Sequence, residues 1–179
     1  MGLTKKNQEV PALEQLNIYL VSDPEIVKNS IDENGWNVLH HAAANGWAHM
    51  VKTLVAELPQ LCQSTPDGWN PLMLACQSMG ARKRGVYRWD LEMLLRDMYL
   101  LGDREILKNN VDMNGWNVLH YAVSNGWVSI VKTLVEELPQ LCKSATKNKP
   151  IGWTPLMLAC QMEKGPPKVS VREEMVLRG

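Results

Sequence analysis

NGWNVLHHAAANGWAHMVKTLVAELP, from Asn34 to Pro59, returns 80 residues later as NGWNVLHYAVSNGWVSIVKTLVEELP, from Asn114 to Pro139. Over Asn29–Ser64 and Asn109–Ser144, 25 of 36 aligned positions are identical. That excludes coincidence and predicts that the two stretches fold alike. A shorter echo lies inside each half, DGWNPLMLACQ from Asp67 and IGWTPLMLACQ from Ile151. Both reproduce the opening Gly-Trp-(Asn/Thr)-x-Leu-x-x-Ala. Trp36, Trp69, Trp116 and Trp153 are therefore 33, 47 and 37 residues apart. Self-similarity with a period in the thirties predicts stacked repeats rather than one closed globule.

Local signals place the helices. Asn37 is suited to cap an inner helix of about Val38–Asn45, because a short amide side chain satisfies the first unpaired N–H groups. Gly46 ends it, since glycine readily takes the left-handed conformation of a helix stop. An outer helix over about Ala48–Leu58 follows, with Met50, Val51, Leu54, Val55 and Leu58 on one face and Pro59 closing it. The small pair Ala42-Ala43 allows neighbouring inner helices to approach closely. Upstream, Leu13, Leu16 and Leu20 predict a capping helix over Pro11–Val21, which aligns with Leu91–Leu101. Similar segments follow both, DPEIVKNSID and DREILKNNVD. The even copies lack the tight turn at Asn45-Gly46 and Asn125-Gly126. They carry insertions instead, Ser78–Trp89 and Met162–Ser170, expected to leave from the edge opposite the turn tips. Outer helices are then expected at about Asp90–Leu101 and Val171–Leu177.

Composition limits the function classes. The 179 residues are 45% hydrophobic, with no apolar run near the ~20 residues of a membrane span. MGLTKKNQEV has no apolar core of a signal peptide and misses the myristoylation pattern at Lys6. Cys62, Cys76, Cys142 and Cys160 follow the repeat and read as small buried hydrophobes in a reducing compartment. Their separations of 14 and 18 are too wide for a compact zinc site. Net charge is zero, which argues against bulk nucleic-acid affinity. Four cations, Arg82, Lys83, Arg84 and Arg88, nevertheless fall within seven residues. No phosphate-binding loop, nucleophile elbow or H-E-x-x-H is present, so no catalytic constellation is expected.

The repeated unit resembles the ankyrin repeat, whose consensus reads roughly D-x-x-G-x-T-P-L-H-x-A-A-x-x-G-H-x-x-I-V-x-x-L-L. Asp32, Gly35, Leu39, His40, Ala42, Ala43, Gly46, Val51 and Leu54 fit it in the first copy. Asp112, Gly115, Leu119, His120, Ala122, Gly126, Ile130, Val131 and Leu134 fit it in the third. The even copies keep Asn70-Pro71-Leu72 and Thr154-Pro155-Leu156, with Met73 and Met157 in the histidine place. The resemblance implies an all-α solenoid of stacked helix-turn-helix units joined by β-turn or hairpin loops, a two-repeat unit duplicated. Its expected divisions are a cap and linker (1–31) and repeats at 32–64, 65–111, 112–148 and 149–179.

It also implies a non-enzymatic, cofactor-free and metal-free module that binds a partner protein or peptide across a concave face. The tip tryptophans Trp36, Trp69, Trp116 and Trp153 follow the turn glycines, at a position that commonly contacts partners in the family. Two readings stand together. They form an aromatic ladder that anchors a partner, or they stack and stiffen the array. Glu33, Asn34, Met113 and Asn114 lie at the tips, and Ala44, Asn45, Gln77, Ser124, Asn125 and Gln161 end the inner helices. By resemblance these line a largely uncharged groove. Trp47 and Trp127 are expected to pack between helices, and His40 and His120 to bridge turn backbone and neighbouring repeats. His41 and His49 have no carboxylate or cysteine partner in the motif.

The basic loop admits other roles: an adaptor for nucleic acid or anionic phosphate and lipid, a nuclear-import signal, or a solvated loop. Self-assembly through the tryptophan edge is a further alternative, although a monomer is the expected state. The expected location is intracellular and cytoplasmic, or nuclear if the basic loop acts in import.

Overall fold

The computed structural model describes residues 5–80, 104–147 and 152–161, with side chains over 10–77, 107–147 and 152–161. These segments form α1 (Lys5–Ser22), α2 (Pro24–Asn29), α3 (Val38–Asn45), α4 (Ala48–Glu57) and α5 (Pro71–Gly80). They continue with α6 (Arg104–Asn109), α7 (Val118–Ser124), α8 (Val128–Glu137) and α9 (Pro155–Gln161). Short 3-10 turns follow α4 at Pro59–Cys62 and α8 at Pro139–Lys143. Among the described residues extended pairing is confined to one bridge, Ile31 with Asn37.

The inner helices start where the chain can cap them. The Asn37 side chain accepts the N–H groups of Leu39 and His40 at 3.0 and 3.1 Å, and the His40 ring returns an acceptor to the Asn37 N–H at 3.3 Å. This is a capping box in which histidine does the work usually given to Glu or Gln. Asn117 and His120 repeat it at the start of α7, with bonds of 3.1 and 3.2 Å. The Asn37 amide also donates 2.9 Å to the Leu61 carbonyl, and Asn117 donates 3.1 Å to that of Leu141. Each cap therefore ties the turn to the end of its own repeat. Gly46, at φ 69°, stops α3 in the left-handed conformation. Pro59 ends α4 and opens the following 3-10 turn, where its missing N–H costs nothing.

The helices stack in two rows. In the inner row α3 packs on α5, α5 on α7 and α7 on α9; α4 backs α3, and α8 backs α7. At the N-terminal end α1 packs on α4 and α2. Leu39, Ala42, Ala43, Leu54, Leu72, Met73, Leu119, Ile130 and Leu134 are buried in one continuous core. Each large aliphatic among them is worth roughly 1.5–3 kcal/mol in burial. Ala42 and Ala43 are completely covered, which is what lets α3 and α5 lie close.

Several boundaries differ from the sequence reading. The capping helix starts at Lys5 and carries Pro11 within it, at the loss of one ladder hydrogen bond. The segments aligned after it and after Leu91–Leu101 both fold as six-residue helices, α2 and α6. α5 continues to Gly80, three residues into the expected insertion, because nothing in Ser78-Met79 breaks a helix. Cys62 and Cys76 are buried and Cys142 half-buried, but Cys160 is exposed, contrary to expectation, on a side of α9 that no described element covers. The basic loop (Arg82, Lys83, Arg84, Arg88), the outer helices expected at 90–101 and 171–177 and the insertion 162–170 lie outside the described residues, apart from 78–80.

Candidate partner-binding surface

Every turn tip is held by one polar residue placed before the glycine. The Asp32 side chain accepts the Trp36 N–H at 2.8 Å, and the Asp32 N–H donates to the Trp36 carbonyl at 2.9 Å. Asp112 does the same for Trp116 at 2.8 and 2.9 Å. In the even copies a threonine takes over. The Thr65 hydroxyl accepts the Trp69 N–H at 3.0 Å and the Thr146 hydroxyl that of Trp153 at 2.9 Å, with return bonds of 2.7 and 2.9 Å. Thr65 and Thr146 escaped the sequence reading, which looked for aspartate. Their signal was a short oxygen-bearing side chain ahead of each Gly-Trp. The carboxyl of Asp32 is opposed by desolvation, yet the N–H groups of Trp36 and Asn34 and the neighbouring His41 hold it below the usual carboxylate range.

Adjacent turns touch. Gly68 sits at φ 83°, and a Cβ there would lie 2.1 Å from the Val111 carbonyl oxygen of the next turn. Only glycine satisfies both conditions. The Lys147 N–H donates 2.7 Å to the Asn114 carbonyl, which links the third and fourth turns.

The four tip indoles do not share one environment. Trp69 and Trp116 are only 7% and 8% exposed and belong to the core, whereas Trp36 and Trp153 are half-buried. Among the described residues no two of these four indoles are in ring contact. Tyr121 stands between two of them, 5.1 Å from the Trp69 ring and 5.0 Å from that of Trp116. Its hydroxyl donates 2.7 Å to Asp112, and burial followed by that carboxylate push its pKa up. Trp36 lies 5.2 Å from His41, the residue at the place of Tyr121 in the first repeat. His41 is paired with Asp32 at 3.1 Å, a carboxylate partner the motif did not reveal because Asp32 lies nine residues upstream.

His40 and His120 link successive repeats. The His40 Nε2 lies 3.3 Å from the Trp69 carbonyl oxygen, and that of His120 3.0 Å from the Trp153 carbonyl oxygen. The other ring nitrogen, Nδ1, faces the cap: it lies 2.8 Å from the Asn37 amide oxygen in His40 and 2.7 Å from that of Asn117 in His120. Burial pushes His40 down to about 4 and lowers His120 as well, so both rings are neutral near pH 7. Trp127 ties α8 to α5 through an Nε1–H bond of 3.4 Å to the Cys76 carbonyl. The equivalent Trp47 Nε1 is enclosed without a hydrogen-bond partner among the described residues.

Beside the tryptophans, Glu33 and Asn34 are exposed, Met113 is 61% exposed, and Asn114 is half-buried. At the inner-helix ends Ala44, Asn45, Gln77, Ser124 and Asn125 are half-buried and Gln161 is exposed. The Asn45 amide donates to the His41 carbonyl at 2.9 Å and that of Asn125 to the Tyr121 carbonyl at 3.0 Å, so both donors are partly occupied by their own helices. Burial raises Cys62 to about 11 and Cys76 to about 12, which makes them inert packing thiols. Among the described residues no group of three potential metal ligands occurs, and no helix is long and apolar enough to cross a membrane.

A search of curated proteins returned no match. The family description "Ankyrin repeats (3 copies)" matches residues 5–99 and again residues 90–170. Modules of this family generally mediate protein–protein interaction and are typically non-enzymatic. With capped helix pairs stacked in a row and the two matches running together from residue 5 to 170, the chain belongs to the ankyrin-repeat family.

Proposed function

We propose that the chain recognises a partner protein or peptide along its turn tips and inner-helix ends, by binding and without turnover. The reading divides it into the cap and the four repeats given above, in a reducing, intracellular setting that suits its four free cysteines. The observation that carries it is the pairing of rigid buried aromatics with open neighbours. Trp69 and Trp116, locked against Tyr121, make a firm floor, while the edges of Trp36 and Trp153 and the side chains of Met113 and Asn34 face outward. Asn114, Asn45, Gln77, Asn125 and Gln161 surround them with uncharged amides. Aromatic anchors on a rigid base lose little entropy on binding, and such residues dominate interface energetics. A groove of this kind suits an extended or helical peptide with apolar side chains better than a phosphate-bearing ligand.

The test is a displayed random-peptide library selected on the immobilised full chain. Trp36→Ala and Met113→Glu should each weaken the selected peptides about tenfold or more, with the far-UV CD spectrum unchanged. Selected peptides that bind both variants with wild-type affinity would contradict the reading.

A further inference from the structure

The two ends of the inner row are halves of an interface that the chain already contains. Within the molecule, α5 covers the leading face of the third repeat: Asp112, Trp116, Val118 and Tyr121 are all buried there. The matching residues of the first repeat, Asp32, Trp36, Val38 and His41, are half-buried or exposed. No inner helix precedes α3 among the described residues.

The other end mirrors this. α9 opens with PLMLACQ, Pro155–Gln161, the same seven residues as Pro71–Gln77 of α5. Leu72, Met73 and Cys76 are wholly buried between α3 and α7, whereas Leu156 is 72% exposed, Met157 45% exposed, and Cys160 exposed. The heptapeptide that α7 receives inside the chain is therefore presented uncovered by any described element at the other end of the row. A near-copy of its receptor face is uncovered at the N-terminal end. The correspondence runs through α9 and Trp153 and stops at the fourth turn, where Thr146 and Trp153 are seven residues apart rather than four.

The geometry points to head-to-tail stacking of this chain on a second copy, with α9 of one molecule seated against α3 of the next as α5 seats against α7. Trp153 takes the place of Trp69 over His41. The contact joins two different surfaces, so each added molecule exposes a fresh face. Assembly then continues as an open row unless rotation closes it into a ring. This goes beyond recognition of a foreign partner and uses the array's ends rather than its groove.

Sedimentation velocity of the full chain over a concentration series tests it. The weight-average sedimentation coefficient should rise with concentration past the dimer. Leu156→Glu blocks the α9 end, and His41→Lys leaves Asp32 a side chain to pair with while placing a long charge where Trp153 would sit. Both positions are exposed, so melting curves should match wild type. Each variant alone should weaken association about tenfold or more, and an equimolar mixture should recover a heterodimer that does not grow further. His41→Tyr, which restores the residue found at the internal interface, should strengthen association. A wild-type chain that stays monomeric up to about 1 mM would overturn the proposal. So would association indifferent to both variants, or a mixture that fails to pair.

Discussion

The first and third repeats are nearly one sequence in two situations. Both carry an Asn–His capping box, their outer helices are both ten residues long, and their turn clamps agree within about 0.1 Å at the Asp–Trp bonds. Their leading faces do not. Tyr121 is 4% exposed, wedged between Trp69 and Trp116, whereas His41 at the same place is exposed, with Trp36 as its one ring neighbour among the described residues. What lies within a repeat is set by the repeat, and what lies on its face is set by the neighbour. This is the quasi-one-dimensional logic of stacked repeats, where stability is a sum of intrinsic and nearest-neighbour contributions.

The largest break in the comparison should come from the tip tryptophans. Trp116→Ala removes a buried indole and is expected to cost about 3–5 kcal/mol, read by urea unfolding. Trp36→Ala, at the matching place without a covering neighbour, should cost about 1 kcal/mol. Equal losses would mean that the two faces are alike after all.

Acid should act on the buried histidines next. His40 is held down to about 4, below its ordinary 6.5, by burial. Between those values the unfolded chain takes up a proton that the folded chain refuses. Stability is therefore complete above pH 6.5 and falls as pH drops towards 4, by on the order of 2–3 kcal/mol. His40→Gln, whose amide can still serve the capping box, should flatten that part of the pH–stability profile. A variant with the same acid sensitivity as wild type would acquit His40.

Tyr121→His converts the third repeat to the first at its central ring. It should cost about 2 kcal/mol through lost packing and the bond to Asp112. The smallest and most symmetric effect belongs to the caps. Asn37→Ala and Asn117→Ala should each cost about 1–2 kcal/mol and agree with one another, because both caps bond only within their own repeats. A marked difference between them would show that neighbours reach further into the repeat than the contacts allow.

These differences also explain what could be read from the chain. α3 falls on the expected Val38–Asn45, and α4 ends one residue short of the expected Leu58, because Asn37, Gly46 and Pro59 act locally. The stacking of repeats was legible from the Gly-Trp period. The fate of the individual tryptophans was not. Trp36 and Trp116 sit in the same local sequence, NGWNVLH, and differ only in what a segment far away places against them. Tyr121 drew no notice as a lone substitution of His41, yet it is the ring that joins two repeats. Thr65 and Thr146 were hidden because a hydroxyl replaces the expected carboxylate while making the same bond.

The central claim, that consecutive repeats share an aromatic seam, is most directly tested by nuclear Overhauser contacts from the Tyr121 ring in the isotope-labelled chain. The account predicts cross-peaks from that one ring to both Trp69 and Trp116, whose centroids lie 5.1 and 5.0 Å away although they are 47 residues apart in sequence. A Tyr121 ring that reaches Trp116 but shows nothing to Trp69 would mean that α5 and α7 are not neighbours, and the stacked row would fall with that result.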